Sequence, residues 1–251
     1  MGGCLINPHD KDDFDNFYNE SVSLVSNLMF YHFNESGYSG STDDVTDAAG
    51  NGNHSDSIGP LSQDEGIYGQ GIRCDGSSSG VDITPAIFDN SFSQRTISVW
   101  FKADVVDGVR YIYEEGGTVN GIGIYIQDGT LYGGAYKATG NHYNIFISYA
   151  VTSKRWYHVV ITFHTTIGFS MFINGELVSG PFPLGLDMPP HSNANGLCFQ
   201  NDDSFRHDVG ADSKGGGQYN FFKGTLDEIG VWNRTLSDAE ILNLFHRQGR
   251  L

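Results

Sequence analysis

Apolar residues recur at every second position through most of the chain beyond residue 27. The clearest case is RWYHVVITFHTTIGFSMFINGELV (Arg155–Val178), where Tyr157, Val159, Ile161 and Phe163 share one face. A period of two puts successive side chains on opposite faces of a strand. A short loop at residues 165–168 leads into Phe169–Ile173, and Asn174-Gly175 then supplies a tight hairpin turn before Glu176–Val178. RTISVWFKAD (Arg95–Asp104) sets Ile97, Val99 and Phe101 against Ser98 and Trp100. VRYIYEEG (Val109–Gly116) and NIFISYA (Asn144–Ala150) alternate too, and GIGIYIQDGTLYGGAY (Gly121–Tyr136) reads as a hairpin turning at Asp128-Gly129. LMFYHF (Leu28–Phe33), GIRCDG (Gly71–Gly76) and GLCFQ (Gly196–Gln200) are shorter strand candidates.

The chain ends differently. FKGTLDEIGVWNRTLSDAEI (Phe222–Ile241) alternates in its first half, and Ser237-Asp238-Ala239-Glu240 then forms a capping box. Ile241, Leu242, Leu244 and Phe245 make the apolar stripe of a short helix. Many strands at short spacing, joined by turn signals, predict an all-β fold, an antiparallel β-sandwich with a short C-terminal helix. Residues 1–27 are polar and irregular and read as a tail or linker, with the domain spanning 28–251. Residues 34–66 form a long polar stretch, which a bound ion could hold.

Charge and chemistry narrow the function. The formal net charge is −16, and 22 of the 30 acids are Asp, a residue suited to turns and to hard cations. Such a chain repels phosphate backbones and anionic lipid, which argues against nucleic acid and bare membrane as partners. No run is long and apolar enough to cross a bilayer. The start, MGGCLINPHDKDD, lacks the basic and apolar regions of a signal peptide, while Gly-Gly-Cys matches the end of a lipobox with Cys4 as the lipidated residue. With Cys4, Cys74 and Cys198 the count is odd; Cys74 and Cys198 as a pair, or as two buried thiols, are both open readings.

Catalytic patterns are missing from the sequence. Glu114 and Glu115 are adjacent, so a strand sends them to opposite faces and they cannot flank one glycosidic bond. There is no G-x-S-x-G, H-E-x-x-H or P-loop. Aromatic and amide groups suited to a sugar concentrate in residues 109–145: Tyr111, Tyr113, Tyr132, Tyr136, Asn141, His142 and Tyr143. One acid stands out. Asp227 has the same parity as Ile229 and Val231, so an unbroken strand would turn its carboxylate toward the core. A buried carboxylate must be paired, protonated, hydrogen-bonded or coordinated.

The ordered pieces DAAGNGNHS (Asp47–Ser55), GQGIRCDG (Gly69–Gly76), ISVWFKAD, RWYHVVITF with FINGELV, and the closing segment resemble laminin-G-like domains of the concanavalin A-like lectin/glucanase superfamily. The resemblance covers residues 28–248. It implies a jelly roll of two curved sheets holding Ca2+ near the meeting point of the chain's ends, with Glu35, Asn51, Asn53, Asp75 and Asp227 as the oxygen donors. The expected function is that of a non-catalytic, calcium-stabilised module, extracellular or on the cell surface, binding a glycan or glycoprotein. The alternatives are a protein-binding adhesion or fibre domain of a larger surface or viral assembly, and an unusual polysaccharide hydrolase or lyase.

Overall fold

The structure, a computed structural model, describes residues 27–117, 119–138, 140, 143–191, 195–201, 204–206, 210–212 and 218–248. The tail at residues 1–26, with Cys4, lies outside them, as do Asn141 and His142. Short strands come first: β1 (Asn27–Tyr31), β2 (Asp56–Ile58), β3 (Ser62–Glu65), β4 (Gln70–Asp75) and β5 (Gly80–Asp82). The long ones follow as β6 (Gln94–Ala103), β7 (Val109–Gly116), β8 (Asn120–Gln127), β9 (Thr130–Lys137), β10 (Tyr143–Ala150), β11 (Trp156–His164), β12 (Gly168–Ile173) and β13 (Glu176–Phe182). After β14 (Gly196–Leu197) come β15 (Gln200–Asn201), β16 (Ser204–Arg206), β17 (Gly210–Asp212) and β18 (Gln218–Tyr219). The chain closes with β19 (Lys223–Trp232) and the helix α1 (Asp238–Gln248).

Two antiparallel sheets make the sandwich. One runs β13-β12-β11-β6-β19-β4-β3, with β1 also on β19; the other runs β10-β9-β8-β7-β14-β5-β2. The predicted turns hold. Asp128 and Gly129 have φ of 47° and 81°, and Asn174 and Gly175 have 52° and 81°, as a primed two-residue hairpin requires. Ile97, Val99, Phe101, Ile124, Ile126, Val159, Ile161 and Phe163 fill the space between the sheets. A second cluster lies outside the first sheet, where Phe30, Val160, Phe172 and Trp232 meet Leu236, Ile241 and Leu244 of the closing segment. The capping box forms as expected: Ser237 N–H donates to Glu240 Oε2 at 2.8 Å while Glu240 N–H reaches Ser237 Oγ at 3.4 Å. Leu242 departs from its predicted stripe and is 40% exposed.

The two sheets are tied in the core. Cys74 of β4 is bonded to Cys198, just beyond β14, which settles the open reading in favour of the pair. Arg95 of β6 reaches across to Glu115 of β7 at 2.6 Å, and both side chains are almost fully buried. Glu114 and Glu115 do face opposite ways: Glu115 points into the core network, and Glu114 lies among residues of the outer face. Residues 34–66 are better ordered than a plain loop, since they contain β2, β3 and a bridge between Val45 and Ser55.

Candidate functional site

Two regions carry the residues singled out in the sequence. The first lies where β19 changes partner. Its first half pairs with β4 as far as Leu226, and its second half pairs with β1 from Ile229 onward. Between them the register against β6 slips, with Glu228 at φ 49°. This bulge resets the alternation. Leu226, Ile229 and Val231 all enter the core, so Asp227 does not share the face of Ile229 and Val231 as parity predicts. It turns to the other side, beside Gly66 and Gly71, and is still fully buried.

There Asp227 Oδ2 accepts the N–H of Tyr68 at 2.9 Å and Oδ1 accepts that of Glu228 at 2.8 Å. A Cβ at Gly66 would come within 2.4 Å of Oδ2, so the turn covering the acid needs glycine there. Burial pushes the Asp227 carboxyl well above the usual carboxylate range, and the charge of Glu228 adds to this. The two N–H donors and His32 pull the other way. Glu228 in turn meets His32 Nδ1 at 2.7 Å.

The five proposed calcium donors do not form one set. Glu35 accepts from Tyr38 Oη at 2.8 Å and from Thr46 N–H at 2.8 Å. Burial and the charge of Glu35 raise the Tyr38 phenol far above its ordinary range, and Asp227 contributes to the same rise. The turn after β3 links the two acids: Gln70 N–H donates to Asn34 Oδ1 at 2.8 Å, next to Glu35, and Tyr68 N–H donates to Asp227. Asp75 is elsewhere, capping Ser77, Ser78 and Ser79 through their N–H and hydroxyl groups, which hold its carboxyl below the usual range against the effect of burial. Asn51 and Asn53 turn their amide N–H2 groups to the carbonyls of Asn27 and Leu28 at 2.9 Å and 2.6 Å.

The centre of that loop is Asp47, which the sequence reading did not choose. Its oxygens accept four backbone N–H groups, from Phe30, Ala49, Asn51 and Asn53. Asp44 does similar work at Ser39, Gly40 and Ser57. Carboxylates accepting N–H groups thus hold the 34–66 stretch, and those donors point at the oxygens a cation would use. The residues present do not fit a calcium shell as they stand, and among the described residues no three His, Cys, Asp or Glu cluster for a metal.

The second region is the outer face of the β7–β10 sheet. The predicted tyrosines separate here. Tyr113 and Tyr143 turn into the core, where Tyr113 donates to Glu115 Oε2 at 2.7 Å and Tyr143 to Met188 Sδ at 3.6 Å. Tyr111 and Tyr132 face outward, joined by Tyr125, which the sequence reading missed. The rings of Tyr111 and Tyr125 stack at 5.1 Å, and those of Tyr125 and Tyr132 at 5.2 Å. These three residues are cross-strand partners on β7, β8 and β9. Tyr111 shares their face because a bulge at Ile112 shifts the alternation along β7.

The next row across the sheet is Glu114, Gly123, Gly134 and Phe146. A Cβ at Gly134 would strike the Phe146 ring at 2.1 Å, so the absent side chain makes room for that ring. The row forms a small hollow with Tyr136 at one end and the tyrosine stack along its side. Glu114 is 2% exposed, and Tyr132 and Phe146 are half-buried at the rim. The hollow itself, about 10 Å³, has room for no more than a water, and Tyr111, Tyr125 and Glu114 are almost fully buried, so the aromatic surface open to a ligand here is that of Tyr132 and Phe146. His158, within β11, is structural: it bonds Ser98 Oγ at 2.8 Å and stacks on Trp100, with burial lowering its pKa to about 3.

This two-sheet architecture and closing helix define a jelly-roll β-sandwich domain. A laminin-G family model described as concanavalin A-like lectin/glucanases superfamily matches residues 75–242, and the chain belongs to that family. No curated protein matches the chain. Among solved structures it is similar to domain 4 of AbnA, a GH43 extracellular arabinanase from Geobacillus stearothermophilus in complex with arabinotriose. That match has a TM-score of 0.61 and 17% identity and covers 87% of this chain and 98% of that one. The botulinum neurotoxin serotype D binding domain matches with a TM-score of 0.63 and 14% identity over 90% of this chain. The binding domain of Paraclostridial mosquitocidal protein 1 matches with 0.61 and 20% over 88%. This chain spans about half of each toxin domain, 51% and 52%. At these identities the likeness is one of fold.

Proposed function

We propose that the chain is a non-catalytic recognition module that binds a glycan on the outer face of the β7–β10 sheet. The observation that carries this is the pair of half-buried rings, Tyr132 and Phe146, on that face, both packed against the buried ring of Tyr125 at 5.2 Å and 6.2 Å. Half-buried Tyr132 and Phe146 offer ring faces and edges to sugar C–H groups. The carbohydrate in complex with the similar arabinanase domain supports the class of ligand. With Glu114 outside and Glu115 inside, adjacent acids supply no carboxylate pair for hydrolysis. An extracellular setting accords with the Cys74–Cys198 bond.

The test is a glycan array followed by titration of the best ligand. Tyr132→Ala is expected to weaken binding at least roughly tenfold, about 1.4 kcal/mol, while leaving the melting midpoint nearly unchanged. Equal binding by the variant, or capture of proteins and of no sugar, overturns the reading.

Calcium enters the proposal only at Glu35 and Asp227, which the turn after β3 links through Tyr68 N–H to Asp227 and Gln70 N–H to Asn34 beside Glu35. An ion there would displace the Tyr38 hydroxyl and the Tyr68 N–H. Thermal melts in EDTA and in millimolar Ca2+ test it. A higher midpoint with the ion, abolished by Asp227→Asn, supports calcium; equal midpoints remove it.

A further inference from the structure

The other sheet carries a second polar surface. Ser62, Arg73, Thr225, Lys102 and Trp156 are successive cross-strand partners over β3, β4, β19, β6 and β11. Ile72, Cys74, Phe101, Ala103, Leu226 and Tyr157, their neighbours along the strands, all enter the core. The row therefore faces outward, on the part of the sheet that α1 leaves uncovered. Asp64 and Asp104 flank it, and the turn between β10 and β11 brings Lys154 alongside. Together Gln63, Asp64, Arg73, Lys102, Asp104 and Lys154 line an open groove of about 610 Å³, within the size range of small-ligand sites.

The charges in it are arranged unequally. Arg73 forks onto Asp104, with Nη1 3.1 Å from Oδ1 and Nη2 on Oδ2, and it lies 3.9 Å from Asp64. Asp64 is fixed further by Thr225 Oγ1 at 2.9 Å and by Glu65 N–H at 2.8 Å. These contacts satisfy the guanidinium and hold both carboxylates. The two lysines are left over. Lys102 sits with Nζ 4.9 Å from the centre of the Trp156 ring, a cation–π contact that fixes where its charge points. Lys154 is held at φ 64° by its N–H donating to Ala103 O at 2.6 Å. Among the described residues neither ammonium forms an ion pair.

Lys102 and Lys154 bring two ammoniums into one groove of a chain with net charge −16, and the charge of Lys102 helps to hold the Asp64 carboxyl below its usual range. The long-range field opposes polyanions such as nucleic acid, but screening confines most of it to a Debye length of about 8–10 Å. The groove lining carries three cations, Arg73, Lys102 and Lys154, against the two carboxylates Asp64 and Asp104, a local excess of one positive charge. We propose that this groove is a second binding site, for a saccharide bearing a single carboxylate or sulfate. Lys102 and Lys154 hold the anion, Asp64 and Asp104 accept from neighbouring hydroxyls, and Trp156 bounds the site. The anion's place rests on this groove alone; the sugar part extends the glycan reading to a different face.

Calorimetry with 3′-sialyllactose, lactose, galacturonate, its methyl ester and inorganic sulfate tests the proposal. At least one acidic sugar is expected to bind at least tenfold more tightly than its neutral counterpart and than sulfate. Raising NaCl from 50 to 500 mM should weaken that binding several-fold. The double substitution Lys102→Gln/Lys154→Gln should abolish the preference, with the melting midpoint unchanged, and Tyr132→Ala should leave it intact. Loss through Tyr132→Ala with the lysine variant unaffected overturns the second site and leaves the first standing. Binding of neither acidic sugar, equal binding of neutral and acidic forms, or sulfate binding as tightly as the sugar also overturns it.

Discussion

Opening the Cys74–Cys198 bond is expected to lower the stability by about 5 kcal/mol. The two residues are separated by 124 positions, and cross-linking so long a loop removes much of the freedom of the unfolded chain; the chain-entropy relation gives about 5 kcal/mol at 25 °C. The native side adds to the cost in a variant. Both sulfurs are fully buried in the core between the sheets, so Cys74→Ala/Cys198→Ala also loses packing there. The bond joins β4 of one sheet to the end of β14 in the other, and β14 pairs over only two residues with β5 and with β7. A strand this short has little ladder of its own to hold it. Urea unfolding with and without a strong reductant measures the effect. For a chain of this size a loss of that order corresponds to a melting midpoint roughly 10–20 °C lower. Coincident curves with and without reductant would mean that the bond contributes nothing.

The sheets were legible in the sequence because most strands bury one face and bare the other, and a period of two records that directly. The turns at Asp128-Gly129 and Asn174-Gly175 were legible because only certain residues accept two successive left-handed conformations. Where alternation breaks, so did the reading. The bulges at Glu228 and Ile112 each move one residue to the other side, and no local signal marks either. Asp227 was rightly read as buried and wrongly placed on the Ile229 face. Tyr113 and Tyr111 look alike in sequence, yet one lies in the core and the other in the outward stack.

Sites assembled from several strands were the least visible. The groove of Lys102 and Lys154 takes its lining residues from β3, β4, the end of β6 and the β10–β11 turn. Nothing in 90 residues of intervening chain ties Gln63 to Lys154 before the register is known. Asp47 shows a different limit. The motif DAAGNGNHS marks the loop, and its amides stand out as donors, yet one carboxylate accepting four N–H groups is what orders it.

Glu115→Ala is expected to cost about 3–5 kcal/mol, the range for breaking a buried ion pair by removing one partner. Arg95 would keep its charge with a side chain only 2% exposed, packed with its guanidinium 4.1 Å from the centre of the Phe92 ring and 5.7 Å from that of Phe88. Tyr113, which donates to the other oxygen of Glu115 at 2.7 Å, would lose its acceptor at the same time. His191 offers no relief. Its Nε2 lies 3.8 Å from Glu115, and burial lowers its pKa, so it stays neutral at pH 7. Most of the expected loss is thus the desolvation of an abandoned cation, and that separates the idea from one in which the pair itself holds the sheets together. The double variant Arg95→Met/Glu115→Leu removes both charges and keeps the volume. It should recover at least half of the loss, leaving mainly the Tyr113 hydroxyl unsatisfied. Urea unfolding of the two variants and the parent decides between them. A double variant as unstable as Glu115→Ala would show that the attraction between the two charges, across the sheets, is itself worth several kcal/mol.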